Sequence, residues 1–265
     1  MRIRSLKFLR FGLGCAALIA HTLVVAATAN KDLTLVDPAW IRLAHVDWHS
    51  KWDSVVSTQA NPGDLAIVSD PENGLRKVLR AKIARYENYT HVANGTPRAE
   101  LLFHEPAIFI QGTDYLVRWS TYIPRDFEFD SKQMVIISQI HQSAREGGPT
   151  VALTLLGTNY YISTRGGLQV QRTTAGAKLC CADDDRGKWV NWTLRYIPDD
   201  SGRKSLTQLW KNGESVFRSE HIANAYSGDQ RAYLKIGLYK AGWKKEQSDS
   251  ELQTLFYGPV SIFKR

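Results

Sequence analysis

Three short segments of this 265-residue chain carry polar side chains at strand spacing. They are Pro97-Arg98-Ala99-Glu100-Leu101, Ser138-Gln139-Ile140-His141-Gln142 and Tyr233-Leu234-Lys235-Ile236-Gly237-Leu238-Tyr239. Residues two apart on a strand share a face. Arg98 therefore goes with Glu100, Gln139 with His141, and Tyr233 with Lys235, Gly237 and Tyr239. Gly237 is expected to leave a gap between Lys235 and Tyr239 through which a chain-like ligand could approach the backbone. If the three strands are neighbours in a curved sheet, one concave face gathers Arg, Gln, His, Lys and Tyr.

That set suits the elimination of a uronic-acid glycoside. A proton beside a carboxylate must be removed and the glycosidic oxygen then expelled. The proton is weakly acidic while the carboxylate stays anionic, so cationic and amide donors are needed to hold the developing enolate-like charge. Arg98 and Gln139 are the expected donors. A base takes the proton and an acid protects the leaving oxygen; His141 and Tyr239 are the available pair. Lys235, Glu100, Tyr233 and Arg165 are expected around the substrate. Plainer accounts exist for each residue. A strand His is commonly a hydrogen-bonded core residue, Arg98 with Glu100 could be a simple ion pair, and Lys235 with Tyr239 could be a solvated sheet face.

The elements that must position these residues read as strands. Tyr115 to Ile123 alternates and is rich in aromatic and β-branched residues. Met134 to His141, Val151 to Leu156, Leu168 to Arg172, Tyr233 to Tyr239 and Leu255 to Phe263 continue the pattern. In Trp189 to Ile197, Val190, Trp192, Leu194 and Tyr196 point one way, and Asn191, Thr193 and Arg195 the other. Leu206 to Trp210 runs into Lys211-Asn212-Gly213, a hairpin signal. Residues 75–86 read either as a short helix or as strand. Trp40, Trp48 and Trp52 are expected mostly to pack. Many strands in one chain of this size indicate an all-β fold, a two-sheet sandwich or jelly roll.

The N-terminus reads as an export signal. Arg2, Arg4, Lys7 and Arg10 precede an apolar run from Phe11 to Val25, and Ala27-Thr28-Ala29 is a small-residue cleavage site. Residues 1–29 are expected to be removed, leaving a single domain over 30–265 that is secreted or periplasmic, a monomer with no membrane association. Four of the 34 basic residues and none of the 26 acidic ones lie in the leader. The mature balance is thus +4, which suits a polyanionic ligand. Export removes the protein from nucleic acid, which is not an expected partner. Cys180 and Cys181 alone remain after cleavage. Adjacent cysteines rarely bridge without strain, so no disulfide framework is expected, and two thiols are too few for a zinc site.

At the three polar segments the chain resembles the heparin-lyase-I-like polysaccharide lyases, which include glucuronan lyases. Arg-Ala-Glu-Leu, Gln-Ile-His and Tyr-Leu-Lys-Ile-Gly-Leu-Tyr agree in order and broad spacing across roughly residues 95–240. The resemblance implies a β-jelly roll, a concanavalin-like sandwich with an open concave cleft, acting on an acidic polysaccharide by β-elimination. It also implies that Arg98 and Gln139 neutralise the carboxylate, that His141 is the base, Tyr239 the acid, and that Lys235 contacts substrate. Jelly-roll alginate lyases usually have a second Arg where this chain has Leu102, and Asn-Gln where it has Lys240-Ala241. Alginate is therefore less favoured; heparin lyases of this type are typically longer, with an inserted arm, and this compact chain looks more like the glucuronan lyases.

No cofactor is expected to be required. Calcium is a possibility raised by relatives, but Asp183-Asp184-Asp185 lacks a spaced ligand loop, and the pair His45 and His49 has no third ligand nearby. Two rivals stand beside the lyase. A glycoside hydrolase on a similar sandwich needs two carboxylates flanking the bond; Glu100 and Glu105 are the candidates. A lectin-like module for acidic glycans needs the cleft but not His141 or Tyr239.

Overall fold

The computed structural model describes residues 38–49, 54–143, 147–168 and 172–265. The expected leader and Trp52 lie outside the described residues. The rest forms two antiparallel sheets, the two-sheet jelly-roll sandwich read from the strand signals.

One sheet holds β1 (Ile41–Val46), β3 (Leu65–Ser69), β4 (Lys77–Ala84), β7 (Tyr115–Tyr122), β12 (Trp189–Ile197), β13 (Leu206–Lys211), β14 (Glu214–Glu220), β16 (Leu252–Tyr257) and β17 (Val260–Lys264). Its path is β14-β13-β12-β7-β16-β4-β3, with β17 joining β7 to β1. The other holds β2 (Val56–Gln59), β5 (Arg98–Phe103), β6 (Ile108–Phe109), β8 (Val135–His141), β9 (Val151–Leu156), β10 (Asn159–Arg165), β11 (Thr173–Leu179) and β15 (Ala232–Tyr239). Its path is β11-β10-β9-β8-β15-β5-β2, with β6 on the end of β15.

The core lies between the sheets. β12 behaves as its alternation requires: Val190, Trp192, Leu194 and Tyr196 are buried, whereas Asn191 is exposed and Thr193 and Arg195 are half-buried. Trp192 stacks beside Trp119 from β7. β5 sends Ala99, Leu101 and Phe103 inward, and β15 sends Leu234, Ile236 and Leu238 to meet them. Trp48 is buried, and Trp40 is half-buried with the Arg265 guanidinium over its ring. Asn212 and Gly213 both take positive φ, 51° and 84°, which closes the β13–β14 hairpin with the twist the strands need.

Residues 77–84 are strand β4, not helix. The strand expected at Leu168 to Arg172 falls mostly outside the described residues; Leu168 is 88% exposed and β11 begins at Thr173. β11 is an edge strand of Thr, Ala and Gly with one apolar anchor, Leu179, so its hydrophobic signal is weak. Cys180 and Cys181 are joined to each other across a cis peptide, contrary to the expectation of unbridged thiols. Because the bridge links sequence neighbours, it closes no loop between strands.

Candidate active site

β15 lies between β8 and β5, so the three polar segments are adjacent strands. Register aligns them. Tyr233 sits opposite His141, and Lys235 opposite Gln139 on one side and Leu102 on the other. Gly237 faces Glu100, and Tyr239 faces Arg98. β2 adds Gln59 opposite Glu100.

The outward direction of Gln139 and His141 depends on a bulge. Val135 and Ile137 are core residues, and strict alternation would send Gln139 and His141 inward with them. The pairing of β8 with β9 shifts between Ile136 and Ser138, which gives β8 one extra residue. Ile140 then faces the core, and Gln139 and His141 face out. The pairing of β15 with β8 shifts at the same level, between Ile236 and Tyr239. From the opposite sheet, the buried Tyr257 hydroxyl lies 2.9 Å from both the Ile137 and the Gly237 carbonyl oxygens. Its one proton is shared between two carbonyls that lie where the two irregularities interrupt the register.

Gly237 is explained by its neighbours. At φ 129°, a Cβ would fall 2.1 Å from the Ala99 carbonyl oxygen and 2.7 Å from Glu100 Cα. The glycine is there to admit the β5 backbone, and the expected opening toward a ligand is corrected on that ground.

Around the glycine is a polar network that is almost wholly hidden. Arg98 is 4% exposed, Glu100 1%, Gln139 2% and Lys235 2%. Arg98 Nη1 and Lys235 Nζ both donate to Glu100 Oε2, at 3.4 and 3.3 Å. Gln139 Nε2 donates to Glu100 Oε1. Gln59 Oε1 accepts from Arg98 at 3.1 Å and from Lys235 at 2.8 Å, and Arg98 Nη2 donates to Thr96 Oγ1 at 2.5 Å. Neither Arg98 Nε nor Gln139 Oε1 has a partner among the described residues. Neither Lys235 nor Arg98 is a solvated face residue, and both oxygens of Glu100 are taken by protein groups.

Half-buried side chains lie above this floor. The Tyr239 ring is stacked on the guanidinium of Arg98, whose Cζ is 4.1 Å from the ring centroid. His141 and Tyr233 rings are 5.5 Å apart. His141 Nδ1 is 2.7 Å from the Gln142 carbonyl oxygen. A carbonyl can only accept, so Nδ1 carries the proton and Nε2 keeps its lone pair in the neutral ring. Burial pushes the His141 pKa below its ordinary value, and the positive charges of Lys235 and Arg98 push the same way, against Glu100 and the Gln142 carbonyl. Burial likewise lowers Lys235, partly opposed by Glu100.

Arg165 stands apart. It ends β10, two strands beyond His141 in the sheet order, and its Nη1 donates to the Pro149 carbonyl at 3.3 Å. Lys240, one residue past Tyr239, is fully buried and pairs with Asp130 at 2.6 Å, anchoring the segment after β15 away from the polar network. Gln59, Thr96 and Tyr257 were not foreseen. Gln59 sits in a short polar strand with no motif around it, and Tyr257 lies within the stretch from Leu255 to Phe263 that reads only as strand.

Residues 45–258 match the family model described as polysaccharide lyase. The chain belongs to the polysaccharide lyase family. No curated protein matches it. Among solved structures, it resembles an endo-β-1,4-glucuronan lyase from Trichoderma reesei with a TM-score of 0.68 and 17% identity, over 84% of this chain and 95% of that one. A family 7 alginate lyase, A1-II′, follows the fold with a TM-score of 0.54 and 13% identity, over 75% and 83% of the two chains. An endo-1,3-β-glucanase from Streptomyces sioyaensis shares the sandwich with a TM-score of 0.57 and 11% identity, over 87% and 98%. At such identities the likeness is one of fold. The lyase activity follows from the family, and its substrate is a polysaccharide.

The acidic turn of this lyase does not fit a calcium site. Asp183 pairs with Arg186 at 2.6 Å. Asp185 pairs with Lys211 at 2.7 Å and accepts the Tyr160 hydroxyl at 3.0 Å. His45 Nδ1 bonds to Ser261 Oγ at 2.8 Å. Among the described residues, no group of three His, Cys, Asp or Glu side chains is placed to hold a metal ion.

Proposed function

We propose that this lyase cleaves a glucuronan-like polyuronate by β-elimination at the Arg98–Gln139–His141–Tyr239 site. The carrying observation is a charge imbalance. Two hidden cations, Arg98 and Lys235, face one hidden carboxylate, Glu100. Burying an unmatched charge is costly, and a single carboxylate from a sugar acid balances it.

The substrate carboxylate takes hydrogen bonds from Arg98, Lys235 and the Gln139 amide, so negative charge moving onto it is stabilised. Nε2 of His141 removes the proton from the carbon beside the carboxylate. The electron pair forms the ring double bond as the bond to the glycosidic oxygen breaks. The Tyr239 hydroxyl gives its proton to that oxygen. Glu100, with both oxygens occupied, holds the cations from below. Tyr233 flanks His141, and Arg165 meets the polymer at a distance.

The hydrolase reading lacks its second carboxylate here. Glu105, the other candidate, is exposed and pairs with Arg231 at 2.8 Å. The test is to incubate the protein with glucuronan, alginate, heparin, hyaluronan and pectate and follow ultraviolet absorbance. Elimination leaves an absorbing double bond. New reducing ends without absorbance would make it a hydrolase, and binding without cleavage a lectin.

We also propose that the protein works outside the cytoplasm after losing residues 1–29, as a monomer without a required cofactor. N-terminal sequencing of the mature protein and light scattering test this. No helix among the described residues is long and apolar enough to cross a membrane.

A further inference from the structure

We infer that Tyr257, a core residue of the opposite sheet, is a positioning residue: its hydroxyl fixes where the bulge in β8 falls and so keeps Gln139 and His141 on the reacting face. The inference rests on the function proposed above and adds to it a residue that touches no substrate.

The apolar pattern of β8 does not choose the place of its bulge. Val135, Ile137 and Ile140 all lie in the core. Burying both Ile137 and Ile140, three residues apart, demands one extra residue in the strand. Burial is served equally well if that residue is Ile137, Ser138 or Gln139. The chemistry is not. With Gln139 as the extra residue, Ser138 would take its place opposite Ala152 and the amide would leave the carboxylate site. In the structure Ile136 pairs with Thr154 and Ser138 with Leu153, so the extra residue is Ile137. On its other side Ile137 alone stands against Gly237 and Leu238.

The Tyr257 hydroxyl marks that place. It lies 2.9 Å from the carbonyl oxygen of Ile137 and 2.9 Å from that of Gly237, one on each of the two strands that carry the chemistry. Gln139 is two residues from Ile137, and Lys235 and Tyr239 are each two from Gly237. One hydroxyl thus sits beneath the centre of the site. The group is held from behind, because Tyr257 pairs with Leu79 on one side and Thr121 on the other and is fully buried. Sheets pack about 10 Å apart; a phenol ring carries a donor across most of that gap, and a Ser or Thr side chain does not. Burial and the charge of Glu100 hold its pKa well above that of free Tyr, so the hydroxyl keeps its proton and remains a donor. Two carbonyls hidden in the core need that donor, and only this placement of the bulge brings both to it.

The experiment measures kcat and KM for glucuronan in the unsubstituted protein, Tyr257→Phe, Tyr257→4-aminophenylalanine and Tyr160→Phe. A misplacement of about 1 Å can cost about 10²-fold in rate, and kcat should fall by about that factor in Tyr257→Phe. KM should stay within about threefold, because Arg98 and Lys235 stand on β5 and β15, whose mutual register is unbroken. The amino variant returns N–H donors to the same position and should recover most of the lost kcat. Tyr160→Phe removes an equally hidden hydroxyl, 3.0 Å from Asp185 and two strands away from β8. It should lower the thermal midpoint comparably and leave kcat unchanged. An unchanged kcat in Tyr257→Phe, an equal loss in Tyr160→Phe, or a Tyr257→Phe chain that does not fold overturns the inference. If the unsubstituted protein cleaves no polyuronate, the proposed function fails by itself. The proton-NMR titration of His141 then decides: a midpoint displaced in Tyr257→Phe alone supports the positioning role, and one midpoint common to all variants overturns it.

Discussion

Glu100 lies beneath Lys235, its Oε2 3.3 Å from the ammonium and both side chains 2% exposed. The same oxygen also meets Arg98 at 3.4 Å. Removing one partner of such a hidden set strands the others. Glu100→Gln should lower stability by about 3–5 kcal/mol, the usual cost of breaking a buried pair. Thermal unfolding checks this, and an unshifted midpoint would mean that the two cations find counter-charge elsewhere.

His141 sets the acid side of the pH profile. Burial, with Lys235 and Arg98, holds its pKa below the ordinary 6.5. The neutral ring is the base, so kcat/KM should be level at neutral pH and fall only below pH 6.5. The sign for stability agrees. A depressed pKa means the unfolded chain binds the proton more readily, so this contribution is present above pH 6.5 and is lost as pH falls through the lower folded value. Lys235→Met removes one of the depressing charges and should move the acid limb upward. A limb that stays put would sink the assignment.

Turnover should collapse in His141→Ala and Tyr239→Phe. Each removes one proton-transfer group, worth about 10²- to 10⁴-fold. Glucuronan affinity should hold within a few-fold, because Arg98, Lys235 and Gln139 remain. Ultraviolet absorbance reads the first quantity and calorimetry with the slow variants the second. Full activity in both variants would be incompatible with the proposed roles.

Gln59 is a positioning residue, since its Oε1 ties Arg98 to Lys235 from β2. Gln59→Ala should lower kcat more than it raises KM, and Gln59→Glu should lower polyuronate binding by supplying the negative charge the site lacks. Steady-state kinetics separates these effects. A pure stability loss with normal kinetics would reduce Gln59 to a packing residue.

Gly237→Ala should disrupt the sheet. The added carbon would meet the Ala99 carbonyl oxygen at 2.1 Å, at a φ that L residues rarely adopt. A loss of about 3 kcal/mol or more is expected from the clash and the backbone strain together. Urea unfolding measures it.

The strand faces of β12 were legible because burial on one side imposes period two, and Val190, Trp192, Leu194 and Tyr196 obey it; those of β5 and β15, buried on both sides, were legible because polar and apolar residue types alternate along them. The site residues were legible for the same reason: Arg98 with Glu100, and Lys235 with Tyr239, are two or four apart on strands. β11 was not legible because an edge strand of small residues buries little and leaves no pattern.

Sequence spacing alone therefore determined which side chains travel together along each strand. The tertiary structure decided which strands are neighbours, that a bulge in β8 turns Gln139 and His141 outward, and that Gln59 and Tyr257 reach the site from distant segments. Local pattern encodes the face of a strand. Register, bulges and charge balance come from pairing between residues far apart in the chain, where no local spacing can record them.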